Sequence, residues 1–229
     1  GMNDSRSKER FLGFLNEEIH RRAPQGEAAV LKAFAAEVIG AMDFEDVRDR
    51  RPADVWASIH YAWRYLQQYD PAGSKISLFN PRFEQHGWTS RHTAVLVLTH
   101  GIPFVSESLR LELNRRGIVI HMLVSSDLTV QRDAGHELRQ IYPATVPPDG
   151  ERRTREALVY MEISRIGDPA LLLAVVRIVA VAEEHGEPAV EQGRGGRDLV
   201  VLERLILVGG VGLDEADLVA VGGERADPG

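Results

Sequence analysis

Chemistry in a protein chain needs nucleophiles, bases, metal ligands or anion cradles at workable spacing, and this chain offers few sets that meet that need. Zero cysteines remove disulfides, Cys-ligated zinc, iron–sulfur clusters and thiol nucleophiles together. His86, His92, His100 and His121 supply imidazoles, the commonest nitrogen ligands, yet no i, i+4 pair or accompanying acidic cluster organises them. They read as core or surface histidines, and no metal is expected. Ser106 and Ser108 stand near His100 and Glu107, but a nucleophile also needs an orienting group and oxyanion donors, so these serines read better as helix caps. The glycine-rich run Val208-Gly209-Gly210-Val211-Gly212 lacks the third glycine of a dinucleotide cradle and reads as a turn after a buried strand. No catalytic residue and no cofactor are assigned. The remaining constellation is the turn at 100–105, where the open backbone N–H groups of a following helix could receive a carboxylate.

The elements around that turn follow from periodicity. Residues 8–22, 27–42 and 52–69 carry apolar side chains at helical spacing. In the third of these, Ala53, Trp56, Ile59, His60, Trp63 and Leu66 share a face, and Pro52 suits the first helical turn. Asp70-Pro71-Ala72-Gly73 then breaks the pattern and marks a boundary near residue 72. Residues 75–80 and 92–99 read as strands, 104–116 as a helix stopped by Gly117, and 118–124 and 128–132 as extended segments. Residues 137–142 read as a hairpin partner across Asp133-Ala134-Gly135. After a polar loop, 157–166 alternate as a strand, and Asp168-Pro169 open a helix to about residue 185.

From residue 92 the order is β-α-β-(hairpin)-β-α, a ferredoxin-like split βαβ whose last strand is supplied by 75–80 or by 198–208. The fold class is therefore α+β: an antiparallel sheet with helices on one face, preceded by a small helical region, the other face being left for a partner or ligand. Three stretches follow: a helical region over 1–72, the α+β domain over 73–190, and an extra strand with a disordered tail over 191–229.

Composition sets the outer bounds. Of the 229 residues, 44% are hydrophobic and 27% charged, as in an ordinary globular protein. A net charge of −7 argues against a general nucleic-acid binder. The basic runs at 48–51, 114–116 and 152–155 read as solvated faces and helix ends. The longest apolar stretch, 171–182, is broken by Arg177, so no membrane span is expected. Gly1 before Met2 reads as the remnant of a cleaved tag, and without a leader the chain is expected in the cytoplasm.

The stretch 87–130, GWTSRHTAVLVLTHGIPFVSESLRLELNRRGIVIHMLVSSDLTV, resembles the N-terminal region of the large bacterial NAD-specific glutamate dehydrogenases. LFNP at 78–81 precedes it, and YMEISRIGD at 160–168 is similar to a strand of that family that leads into a helix. The resemblance covers roughly 52–184. It implies an ACT-like regulatory region, ahead of the catalytic part, in an oligomeric enzyme. Its partners would be the enzyme's own catalytic domains or another copy of itself. ACT-type domains hold amino acids at a turn of the kind found here; the matching ligand positions are His100, Gly101, Ile102 and Phe104, with Ser106 as a side-chain donor and Pro103 donating nothing. The family carries two acidic residues before an MPF sequence where this chain has Thr99-His100-Gly101-Ile102-Pro103-Phe104, so no role of those acids carries over. The expected function is a non-catalytic regulatory or assembly domain that senses an amino acid. Its rival is a purely structural oligomerisation domain, and an intact enzyme of another type comes third.

Overall fold

The computed structural model describes residues 2–100, 105–143, 145–148, 153–168 and 211–213. Three helices open the chain: α1 (Met2–Arg22), α2 (Ala28–Ala41) and α3 (Pro52–Leu66). Between α2 and α3 a 3-10 turn, Phe44–Asp46, starts where the Asp43 carboxylate accepts the Glu45 N–H at 3.0 Å, an N-cap that satisfies an otherwise orphan donor. Pro52 occupies the first turn of α3, as its fixed φ favours. The buried face of α3 is Val55, Trp56, Ile59, Ala62, Trp63 and Leu66. Ala53 is exposed and His60 half-buried, so the helix is rolled slightly from the face its spacing suggested.

The remaining elements are β1 (Lys75–Phe79), α4 (Phe83–His86), β2 (His92–His100), α5 (Val105–Arg115), β3 (Ile120–Arg132), β4 (Leu138–Tyr142), β5 (Arg153–Ser164) and β6 (Val211–Leu213). Gly117 ends α5 with φ +71, the left-handed stop its position predicts. The two extended segments expected at 118–124 and 128–132 are one strand, β3, running through Ser125, Ser126 and Asp127; these three polar residues pair with Val159, Leu158 and Ala157 of β5 and do not interrupt the ladder. The β3–β4 hairpin turns where expected. Asp133 closes it by accepting the N–H groups of Gly135 and Glu137 at 2.8 and 3.1 Å, and the left-handed residue is His136 (φ 65), not Gly135.

The sheet runs β4-β3-β5-β2-β1-β6. All neighbours are antiparallel except β6, which pairs parallel with β1. The sheet confirms the ferredoxin-like α+β reading, and β1 is the strand that completes it beside β2. The other strand proposed at 198–208, and the helix expected from Asp168-Pro169, lie outside the described residues. Val211–Leu213, read from sequence as part of a turn, is the short strand β6.

Two apolar layers cover the sheet. On one face α5 presents Val105, Leu109 and Leu113 to Ile76, Leu78, Val95, Val97, Val159 and Met161. On the other, α1, α2 and α3 pack Leu15, Leu31, Phe34, Trp56 and Trp63 into one cluster with Leu96, Leu98, Val124, Leu128 and Leu158. The face expected to stay open for a partner is thus occupied by the chain's own N-terminal helices. The reason is in the strands: β2 is buried from Thr93 to Thr99 on both sides, and a strand apolar on both faces needs two covers.

Polar ties hold the layers in register. The last carbonyls of α3 have no intrahelical donor, and two cations from the sheet supply them. Lys75 Nζ donates to the carbonyls of Tyr65 (2.7 Å) and Gln68 (2.9 Å), and Arg132 donates to those of Leu66 (2.9 Å) and Gln67 (3.3 Å). Arg132 also forks onto Glu156 at 2.8 and 2.9 Å, both residues buried. At the far end of β1, Thr93 Oγ1 donates to Asn80 Oδ1 (2.8 Å) and accepts the Ile166 N–H (2.9 Å), while Asn80 Nδ2 donates to the Ile166 carbonyl (2.9 Å). That knot joins the LFNP, SRHT and EISRI sequences.

Candidate functional site

The turn singled out from sequence is bracketed by two described residues. His100 ends β2, exposed, in register with Glu156 of β5. Ser106 sits half-buried in the first turn of α5, and its Oγ donates to Glu107 at 2.9 Å. Gly101, Ile102 and Phe104 lie outside the described residues. Ser106 therefore bonds its neighbouring carboxylate and not an imidazole, and Ser108 is buried.

Of these four histidines the fold brings His92 and His121 together and keeps His86 and His100 elsewhere. His86 stacks on Phe79 (4.3 Å between rings) beside Tyr61 and Trp88. His92 stacks on His121 at 4.0 Å. Among the described residues no group of three or more His, Cys, Asp or Glu is placed to hold a metal ion.

A second locus, which the sequence reading passed over, lies at the opposite end of β2. Glu162 of β5 is 2% exposed, and three groups converge on it. Arg50 Nη1 donates to Oε1 at 2.6 Å, the Tyr160 hydroxyl donates to the same oxygen at 2.9 Å, and His92 Nδ1 lies 3.1 Å from Oε2. Burial alone would raise the Glu162 pKa; the Arg50 bond and charge, helped by His92 and Tyr160, outweigh it and bring the carboxyl below its ordinary value. Burial, with the charge of Glu162, pushes the Tyr160 phenol well up, which keeps it protonated as a donor. The His121 imidazole, mostly in solvent, is lowered by what desolvation it has and by His92. The signal was present in the sequence: Tyr160 and Glu162 are two apart in a strand, hence on one face, and an acid inside an apolar strand requires a partner.

Arg50 reaches Glu162 from the segment between the 3-10 turn and α3, so a cleft of about 430 Å³ opens between that segment and the ends of β2 and β5. Asp46, Asp54, Trp88, Arg91 and His92 line it together with Arg50 and Glu162. Burial first, then Asp43 and Glu162, raise the Asp46 pKa against the lowering effect of Arg50. The Trp88 side chain is buried, and its indole Nε1 has no hydrogen-bond partner among the described residues.

No helix among the described residues is long and apolar enough to cross a membrane. A family model described as the ACT1 domain of glutamate dehydrogenase matches residues 34–177. The chain is 35% identical over 191 residues to the NAD-specific glutamate dehydrogenase of Halomonas elongata, and 37% identical over 154 residues to that of Pseudomonas aeruginosa. These alignments take in 80% and 67% of this chain but only 12% and 9% of the relatives' own length. No solved structure matches the chain significantly. The match over residues 34–177, which takes in α3, strands β1 to β5 and the Glu162 cluster, carries the conclusion: the chain belongs to the glutamate dehydrogenase ACT1-domain family and corresponds to an N-terminal region of such enzymes.

Proposed function

We propose that this chain is a non-catalytic regulatory domain of an NAD-specific glutamate dehydrogenase, responding to an amino acid at the turn formed by His100, Gly101, Ile102, Phe104 and Ser106. The observation that carries the reading is the ACT1-domain match over most of the chain. In this reading the domain binds and shifts populations, while oxidation of glutamate occurs in other parts of the polypeptide. The backbone N–H groups at the start of α5 receive the ligand's carboxylate. The test is a thermal-shift screen of the purified chain against amino acids and nucleotides, since a ligand of the folded state raises the melting temperature. A selective rise with one amino acid, lost in Gly101→Val, is expected. Turnover of glutamate with NAD by this chain at an enzyme-like rate would overturn the reading.

A purely structural assembly role is the second reading, and one observation favours it. Among the described residues β4 ends the sheet, with Arg139 and Gln140 exposed, an edge on which a second copy or another part of the same polypeptide can add a strand. It predicts a concentration-dependent change in mass on sedimentation and no response to any amino acid.

A further inference from the structure

We propose that His92 and His121, stacked across the end of β5, form a proton-operated latch: neutral or singly charged, the pair stays closed beside the 43–54 segment, and doubly charged it parts and loosens that segment. The device needs no ligand at the turn of residues 100–106, so it stands or falls separately from the reading of that turn.

Backbone geometry brings the two rings together. β2 and β3 are not neighbours in the sheet, because β5 lies between them. Along β3, Ile120 pairs with Ile163 and Met122 with Glu162, so His121 is the extra residue of a β-bulge. A bulge re-aims the side chain it carries, and here the ring is thrown across the end of β5. His121 Nε2 lies 3.2 Å from the hydroxyl of Ser164, the residue in register with His92. The imidazoles meet face to face, 4.0 Å between centres and 11° between planes.

The charges around the pair come from every stretch packed against it. Arg91, just before β2, and Arg50, in the 43–54 segment, are permanent cations that act on His121, and Glu162 of β5 is the facing acid. Asp46 lies further along the cleft wall, Asp54 faces Arg51 at 4.0 Å, and Tyr160 stays protonated. A first proton on the pair is matched by Glu162, whose Oε2 lies 3.1 Å from His92 Nδ1. A second would press two imidazolium rings together beside Arg50 and Arg91, with one carboxylate, already bonded to Arg50, to offset them. The rings then separate, and the excess positive charge bears on Arg50, whose 2.6 Å bond to Glu162 ties the 43–54 segment to the sheet. The state of His121 agrees: desolvation, then His92, hold its pKa below the ordinary 6.5, against the raising effect of Glu162. A depressed imidazole binds fewer protons folded than unfolded, so its share of stability is complete above about pH 6.5 and is lost as pH falls below that value. Carboxylates titrate lower, which keeps the two windows apart.

The experiment uses the 229-residue chain. Hydrogen exchange over residues 43–54, corrected for its intrinsic rate, is read with the melting temperature at about pH 7.5 and about pH 5.5. Acidification is expected to cut the protection of 43–54 roughly threefold and to lower the melting temperature. His121→Asn and His92→Gln should each remove most of the change in protection, and the double variant should do no more than either alone, because the rings act as one unit. His121→Phe keeps a ring on the stack that takes no proton, and should leave 43–54 protected at both pH values. His121 is exposed, so its two variants carry the test even if His92→Gln fails to fold. His60 of α3, which burial also holds low, titrates in the same window; His60→Gln should therefore change the melting temperature alone. Protection of 43–54 that is the same at both pH values in the unaltered chain overturns the proposal. So does an acid-induced loss that persists in His121→Asn and His121→Phe, or effects of the two single substitutions that simply add.

Discussion

Glu162 and Glu156 are both carboxylates of β5 buried to 2% or less, yet their energetics differ. Glu156 meets a single buried guanidinium, Arg132. Removing one member of such a pair leaves the other charge uncompensated, so Arg132→Met should cost about 3–5 kcal/mol in urea denaturation, with Glu156→Leu in the same chain recovering part of the loss. Glu162 shares its charge among Arg50, His92 and Tyr160, and its folded pKa lies below the ordinary 4.5. A depressed carboxylate pKa stabilises the fold fully above the unfolded value and progressively less as pH falls through the folded one. Acid titration of the wild-type chain should thus show stability falling below about pH 4.5, with a shallower slope for Glu162→Gln over the same window. Neither partner was readable in advance. The acids stand out in an apolar strand, but Arg50 is 112 residues from Glu162, and no local pattern encodes that distance.

Elements were more legible than their contacts. The starts and stops of α3 and α5 follow from Pro52 and Gly117, whose backbone preferences act within one turn. At Gly117 a methyl group would meet nothing within 4 Å, so the cost of substitution comes from its φ of +71 alone. Gly117→Ala should lower stability by about 1 kcal/mol, and Gly117→Asn by less, as read by thermal melts. The short helix α4 escaped notice because four residues give no periodicity. The strand β3 was divided in two because Ser125, Ser126 and Asp127 look like a turn when tertiary pairing with Val159, Leu158 and Ala157 is out of sight. The candidate turn after β2 was visible as His100-Gly101-Ile102-Pro103; the Glu162 cleft was not, because its walls come from four separated stretches of chain.

At the scale of the molecule, one face of the sheet depends on the first three helices. A chain begun at residue 73 would expose Leu96, Leu98, Val124, Leu128 and Leu158, now packed against Leu31, Phe34, Trp56 and Trp63. Such a chain is predicted to aggregate on expression, in contrast with the full chain, as size-exclusion chromatography would show. Periodicity anticipated an α+β molecule with a helical start, but an amphipathic helix does not announce which surface it will cover, and the sheet was therefore expected to keep an open side. The strand order has a consequence for how the molecule is made. β1 and β2 are near neighbours in the chain, as are β3 and β4, so each pair closes a short loop at small entropic cost. β5 is inserted between β2 and β3, joining His92 to Ser164 and Ile120 to Ile163. Until residue 164 has left the ribosome the two pairs have no strand between them, and each presents a raw edge to the cell. The last-made central strand thus acts as the keystone of the sheet, and the interval before it arrives is when a nascent chain is most open to mispairing.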